Sequence, residues 1–220
     1  MIRILWALLF FLTLSLSSPA YAYISIKDGP QQNETTWATP AIKWWIDVGA
    51  PPGVNNDATV AAMQAAFDSW ETVSCSQASF IFMGPSGSPQ NDAIYINFEP
   101  DEWDPSVDGA AAFTVSEKKW NGDIKYAIIV FNAVDISWST NATESDWGLK
   151  SDLQGVASHE IGHALGLDHP WVRGATMFFS GGTSELRSLD PDDQRGACYL
   201  YPTGTFNSGQ VCDSCESGEQ

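Results

Sequence analysis

His159-Glu160-Ile161-Gly162-His163-Ala164-Leu165-Gly166-Leu167-Asp168-His169 holds every histidine of a 220-residue chain. On a helix, positions four apart stand one turn above each other, so His159 and His163 offer two imidazoles to a single ion. Glu160 lies beside them, near enough to reach a water on that ion without binding the ion itself. Gly166 tolerates the backbone turn that must end the helix, which lets His169 fold back as a third ligand. Three neutral imidazoles in a tetrahedral arrangement leave one position open, the layout of a catalytic rather than a structural zinc site. Reading the histidines as ordinary surface or core residues requires chance to place all of them at ligand spacing, beside a Glu and a Gly. The expected metal ligands are therefore His159, His163 and His169 on one Zn2+, with Glu160 as the catalytic residue.

The helix that carries this motif is expected to begin near Ser151, with Leu153, Val156, Ala157, Ile161 and Ala164/Leu165 on its apolar side. Upstream, Ile42, Trp44, Ile46 and Val48 alternate with Lys43, Trp45 and Asp47, which predicts a strand over 40–48 with one buried face. Pro51-Pro52-Gly53 ends it. Asn56 or Asp57 can cap a following helix in which Val60, Met63, Phe67 and Trp70 form one stripe. Ser79 to Met83 and Ala93 to Phe98 read as strands separated by a Gly/Pro/Ser turn from Gly84 to Pro89. A short strand is expected from Ala110 to Thr114, after the acidic loop Asp101 to Gly109. Ile124 to Phe131 is apolar enough for a central strand. A polar loop leads to about Lys150, and a last short helix is expected from about Pro191 to Leu200. The chain shows no internal repeats. This order of elements predicts one mixed α/β domain with a smaller part after about Gly166.

Acidic residues outnumber basic ones 27 to 10, for a formal charge of −17. A nucleic-acid partner needs a basic face, so DNA and RNA are excluded, and anionic lipid is disfavoured for the same reason. Arg3, the apolar run Ile4 to Leu16 and the small-residue box Ala20-Tyr21-Ala22 together read as a secretory signal peptide, residues 1–22. The run is too short to span a bilayer comfortably. The mature protein is expected to be secreted, extracellular or periplasmic, with no membrane partner. Its catalytic domain is expected over 23–205, followed by a flexible polar tail over 206–220. Export makes the cysteines readable as disulfides. A Cys75–Cys198 bridge would close a long loop and hold the last helix against the first. Cys212-x-x-Cys215 has no second pair and no spare His, so a local disulfide in the tail is expected, with a redox pair or half a zinc knuckle as alternatives.

These residues resemble the metzincin metallopeptidases and, within them, the matrixins, particularly small bacterial ones. Ala175-Thr176-Met177 sits where their Met-turn follows the third His. Leu189-Asp190-Pro191-Asp192-Asp193-Gln194-Arg195-Gly196, leading to Tyr199-Leu200-Tyr201-Pro202, looks like their last helix. The resemblance covers roughly 37–202 and implies a zincin-like α/β (α+β) fold. That fold has a mixed twisted sheet, an N-terminal-subdomain helix, an active-site helix, and a small C-terminal subdomain with the Met-turn and final helix. It further implies a secreted zinc metalloendopeptidase acting as a monomer on an extended polypeptide, with the extracellular matrix as its associated setting. Gly109 to Thr114 would be the edge strand above the cleft, where Ala110, Ala111 and Ala112 let a substrate backbone approach. Phe178 and the loop Ser180 to Ser188 would shape the pocket for the side chain after the cut.

The departures from the family pattern are informative. Phe179 stands where astacins and serralysins carry an extra Tyr ligand, so that ligand is absent, as in matrixins. Pro170 is similar to serralysins, but no calcium-binding nonapeptide repeats follow. With all histidines used, the second zinc of animal matrixins is not expected. Asp101, Asp104 and Asp108 offer hard oxygen ligands to a Ca2+ ion, with a plain acidic surface loop as the alternative. No recognisable propeptide with a zinc-blocking Cys precedes the region of resemblance, so latency by a cysteine switch is not expected. The rival reading is a secreted zinc-binding adhesin or binding module that does not cut; it needs an impaired base or ligand, and the sequence shows none.

Overall fold

In the computed structural model, the alternation around Trp44 becomes β1 (Ala41–Ile46), with Ile42, Trp44 and Ile46 buried and Ala41 and Lys43 exposed. The structure describes residues 23–28, 33–47, 49–107, 109–146, 150–180 and 184–204. The expected signal peptide and the tail with Cys212 and Cys215 lie outside the described residues. β1 pairs in parallel with β2 (Ser79–Pro85) on one side and β3 (Ala93–Glu99) on the other. β4 (Ala112–Lys118) and β5 (Asp123–Asn132) form an antiparallel pair, and β5 lies parallel to β3. The sheet order is therefore β2-β1-β3-β5-β4, with β4 at one edge. β3 is buried almost throughout, as a run of apolar residues in a central parallel strand should be.

Two long helices pack together against this sheet: α1 (Asn56–Glu71) beside β2, and α2 (Leu153–Leu165) beside β4 and β5. The stripe on α1 is confirmed, with Met63, Phe67 and Trp70 fully buried. Asn55, one residue before the expected cap, accepts the Ala58 N–H at 2.9 Å. The last helix, α3 (Pro191–Leu200), has the predicted limits. It is tied to the turn after α1 by a Cys75–Cys198 disulfide, as expected.

Several elements differ from expectation. β4 starts at Ala112 and runs to Lys118 rather than from Ala110 to Thr114. As an edge strand it ends on the polar residues Ser116, Glu117 and Lys118, which broke the apolar signal that marks a buried strand. The loop before α2 contains a one-turn helix, Ala142–Asp146, and a two-residue parallel pairing of Trp138–Ser139 with Ser151–Asp152. α2 then begins at Leu153 because Asp152 is its cap and accepts the Gly155 N–H at 2.7 Å. Short N-terminal strands were also unforeseen: Ile24–Ser25 pairs with Leu167–Asp168, and Thr36–Trp37 with the start of β5.

One of these short segments, together with residues of α1 and at the end of α3, holds α2. The last carbonyls of a helix lack intrahelical partners. Here the Trp37 indole N–H donates to the Ala164 carbonyl oxygen at 2.8 Å, and the Tyr201 hydroxyl to that of Leu165 at 2.7 Å. Trp70 of α1 donates from its indole N–H to the Ser158 carbonyl oxygen at 2.9 Å. Gly166 then leaves the helix with φ +106, and its amide returns to the carbonyl oxygens of Gly162 and His163. A Cβ at Gly166 would collide with the Thr35 carbonyl oxygen, so glycine is required for space as well as for conformation.

Candidate active site

α2 places His159 and His163 one turn apart, and the bend at Gly166 returns His169 to the same point. The Nε2 atoms stand 3.2 Å (His159–His163), 3.0 Å (His163–His169) and 3.1 Å (His159–His169) apart. His159 Nδ1 lies 2.6 Å from the Thr176 carbonyl oxygen, and His163 Nδ1 lies 2.8 Å from that of Leu167. A carbonyl oxygen can only accept, so both Nδ1 atoms carry the hydrogen and both Nε2 atoms present lone pairs. Lone pairs gathered this closely repel one another unless a cation lies among them. Nitrogens bound about 2.0–2.1 Å from a tetrahedral zinc stand about 3.3 Å apart, close to the observed spacing. The donor set fits that ion. Among the described residues, this trio is the one group of three or more His, Cys, Asp or Glu side chains placed to hold a metal.

Burial keeps these imidazoles neutral. It lowers His159 to about 3 and His163 to about 4, and it lowers His169 as well. Glu160 is 5% exposed, and burial pushes its carboxyl up to about 7 against the pull of a hydrogen bond from Thr114. That bond runs from Thr114 Oγ1 on β4 to Glu160 Oε2 at 2.7 Å.

The floor of the site is built from residues far along the chain. A Cβ on Gly162 would overlap the Met177 sulfur and lie 2.9 Å from the Trp70 ring, so Met177 packs directly beneath the helix between the two histidines. The turn carrying Met177 is held by Asp193 in the first turn of α3. Its Oδ2 accepts the Thr176 N–H at 2.7 Å and the Asp190 N–H at 2.9 Å, and its Oδ1 accepts the Met177 N–H at 3.0 Å. Burial nevertheless raises the Asp193 carboxyl to about 6. At the other end of α2, the buried Asp152 cap is gripped by Arg187, whose Nε and Nη2 donate at 2.9 and 2.5 Å.

A cavity of about 700 Å3 opens over the imidazoles and Glu160. Gly109 to Thr114 forms one wall, and Phe178 and Phe179 stand on another. Val156, Ile136 and Leu186 line an apolar part of it. Ile26 also reaches the cleft, because the pairing of Ile24–Ser25 with Leu167–Asp168 lays the N-terminal segment beside His169. Residues 181–183 of the expected specificity loop, and Asp108 of the expected calcium loop, lie outside the described residues. Asp104 accepts the Ser106 N–H at 2.8 Å and so shapes its own turn.

The sequence reading brought together His159, Glu160, His163 and His169 but missed Thr114, Thr176, Asp193 and Ile26. Asp193 left a signal: Asp190 and Asp193 stand at capping-box spacing at the start of α3, and that box is present.

Comparison with known families agrees with this architecture. The family model described as matrixin matches residues 36–202. The chain belongs to the matrixin family. Its mostly parallel twisted sheet, active-site helix, Met-containing turn and final helix are those expected of a matrixin. Similar proteins include metalloendoproteinase 4-MMP of Arabidopsis thaliana, 38% identical over 76 residues, which covers 33% of this chain and 22% of that protein. Karilysin of Tannerella forsythia is 40% identical over 81 residues, covering 36% of this matrixin chain and 16% of karilysin. Matrix metalloproteinase-9 of Canis lupus familiaris is 44% identical over 63 residues, covering 26% of this chain and 9% of that protein. The matched stretches thus span less than a quarter of each relative's own length.

Proposed function

We propose that this matrixin is a secreted, zinc-dependent endopeptidase that hydrolyses extended polypeptides. The observation that carries the reading is the convergence of three imidazole Nε2 atoms beside a buried carboxylate, on the floor of an open cleft with an edge strand along one wall. His159, His163 and His169 would hold the zinc, which supplies Lewis acidity toward a carbonyl oxygen and acidifies a water. Glu160 takes the proton from the attacking water and later delivers it to the departing amine. Without the ion, burial raises this carboxyl; a cation held beside it would favour the ionised form that accepts the proton. The free edge of β4 offers main-chain groups to an extended substrate, which would add itself to the sheet. The small side chains Ala110, Ala111 and Ala112 keep that approach open.

Export rests on the signal-peptide pattern of residues 1–22. No helix among the described residues is long and apolar enough to cross a membrane. A zinc-binding module without proteolytic activity would need a damaged base, whereas a glutamate, Glu160, lines the same cavity as the imidazoles and is bonded by Thr114, which supports the peptidase reading. The test is cleavage of casein or gelatin by the purified chain. Cleavage abolished by a chelator and restored by zinc is expected, and an inactive zinc-loaded chain would overturn the reading.

A further inference from the structure

We propose that Thr114 is a positioning residue for the Glu160 carboxylate, and that it couples the edge strand to the base. Glu160 is buried, and a glutamate has three side-chain torsions to fix before its carboxylate points anywhere in particular. Among the described residues, Thr114 is the hydrogen-bond partner of that carboxylate, with Oγ1 2.7 Å from Oε2 and 3.1 Å from the Glu160 carbonyl oxygen. A hydroxyl has one proton to give. The short contact to a carboxylate oxygen is the stronger acceptor, so the proton goes there. That bond fixes the plane of the carboxylate, and Oε1 keeps both of its lone pairs for the attacking water.

The hydroxyl is itself held by the sheet. Thr114 lies in register with Ile129 of β5, in the middle of a ladder that runs from the Ala112–Phe131 pair to the Lys118–Ile124 pair. Strand alternation turns Thr114 toward α2 while its neighbour Val115 faces solvent. A β-branched residue also has few side-chain rotamers, so a fixed backbone fixes the hydroxyl. The strand proposed to receive the substrate backbone thus also sets the direction of the base.

This inference rests on the endopeptidase reading, and its test separates the two. Thr114→Val removes the hydroxyl and keeps the shape; Thr114→Ser keeps the hydroxyl. The measurements are kcat and KM on a peptide substrate, zinc content and thermal midpoint for each zinc-loaded chain. Thr114→Val is expected to lower kcat about tenfold to a hundredfold, the range for a misdirected catalytic group. KM and zinc content are expected to stay at wild-type values, the thermal midpoint to fall only by the cost of one lost hydrogen bond, and Thr114→Ser to recover most of kcat. An unchanged kcat in Thr114→Val, a loss confined to KM, or an equal loss in Thr114→Ser overturns the role of Thr114 while the wild-type chain remains a peptidase. A wild-type chain without cleavage overturns both.

Discussion

His159 and Asp193 are joined through one residue, Thr176: its carbonyl oxygen accepts the His159 Nδ1–H at 2.6 Å, and its N–H donates to Asp193 Oδ2 at 2.7 Å. The final helix therefore sets the orientation of an imidazole on a different helix. Replacing Asp193 by Ala would leave the N–H groups of Thr176, Met177 and Asp190 without their acceptor. A loss of about 2–4 kcal/mol is expected in urea unfolding of the zinc-free protein. Zinc affinity is expected to fall about tenfold to a hundredfold in a chelator competition, because the His159 ring loses its orientation. Wild-type affinity in that variant would show that the turn keeps its shape without Asp193.

The pH dependence of the zinc-free fold follows from the same groups. A histidine whose pKa is depressed by folding contributes stability above its ordinary value of 6.5, and that contribution is lost as pH falls toward the folded value. His159 and His163, at about 3 and about 4, both act in this direction. Asp193 acts oppositely: raised to about 6, it contributes stability at low pH that is lost as pH rises through that value. Glu160, raised to about 7, acts in the same direction as Asp193, while His169, also lowered, adds to the other two imidazoles; three depressed histidines outweigh two raised carboxyls. The urea midpoint of the zinc-free chain is expected to be lower at pH 4.5 than at pH 7, and an equal or higher midpoint would contradict the neutral-imidazole assignment.

Gly166 tests the bend that returns His169. Ala at this position must adopt φ near +106 and place its Cβ against the Thr35 carbonyl oxygen. Gly166→Ala is expected to destabilise the fold by about 2 kcal/mol or more and to weaken zinc binding. Thermal unfolding with and without zinc reads both effects. A variant as stable as wild type would mean the bend tolerates a side chain.

The Cys75–Cys198 bridge spans a sequence separation of 123 residues. Closing a loop of that length stabilises by about 4–5 kcal/mol on the chain-entropy account. Cys75→Ala with Cys198→Ala is expected to lower the unfolding free energy by an amount of that order, and reducing agent to have little further effect. An unchanged unfolding free energy would show that the bridge adds nothing to this fold.

The parts of the molecule legible in the sequence are those whose signal is local. Met63, Phe67 and Trp70 repeat at helical spacing because α1 buries one stripe, and Asp190-Pro191 announces α3 through a cap and a favoured first-turn proline. The imidazole trio was readable because helical spacing and one glycine fix it within eleven residues. Elements held by distant partners were not readable. Ile24–Ser25 and Thr36–Trp37 are strands only because Leu167–Asp168 and the start of β5 lie beside them. Thr114 carried no motif; a threonine in an edge strand is ordinary until the fold brings it against Glu160. The polar residues Ser116, Glu117 and Lys118 shortened the apparent strand on which Thr114 sits.

The central claim is that three imidazoles hold a metal beside a carboxylate that moves the proton. The most direct measurement is zinc content together with peptide hydrolysis in Glu160→Ala. Near one zinc per chain with hydrolysis abolished is the predicted result. Hydrolysis retained at wild-type rate with that zinc in place would contradict the account.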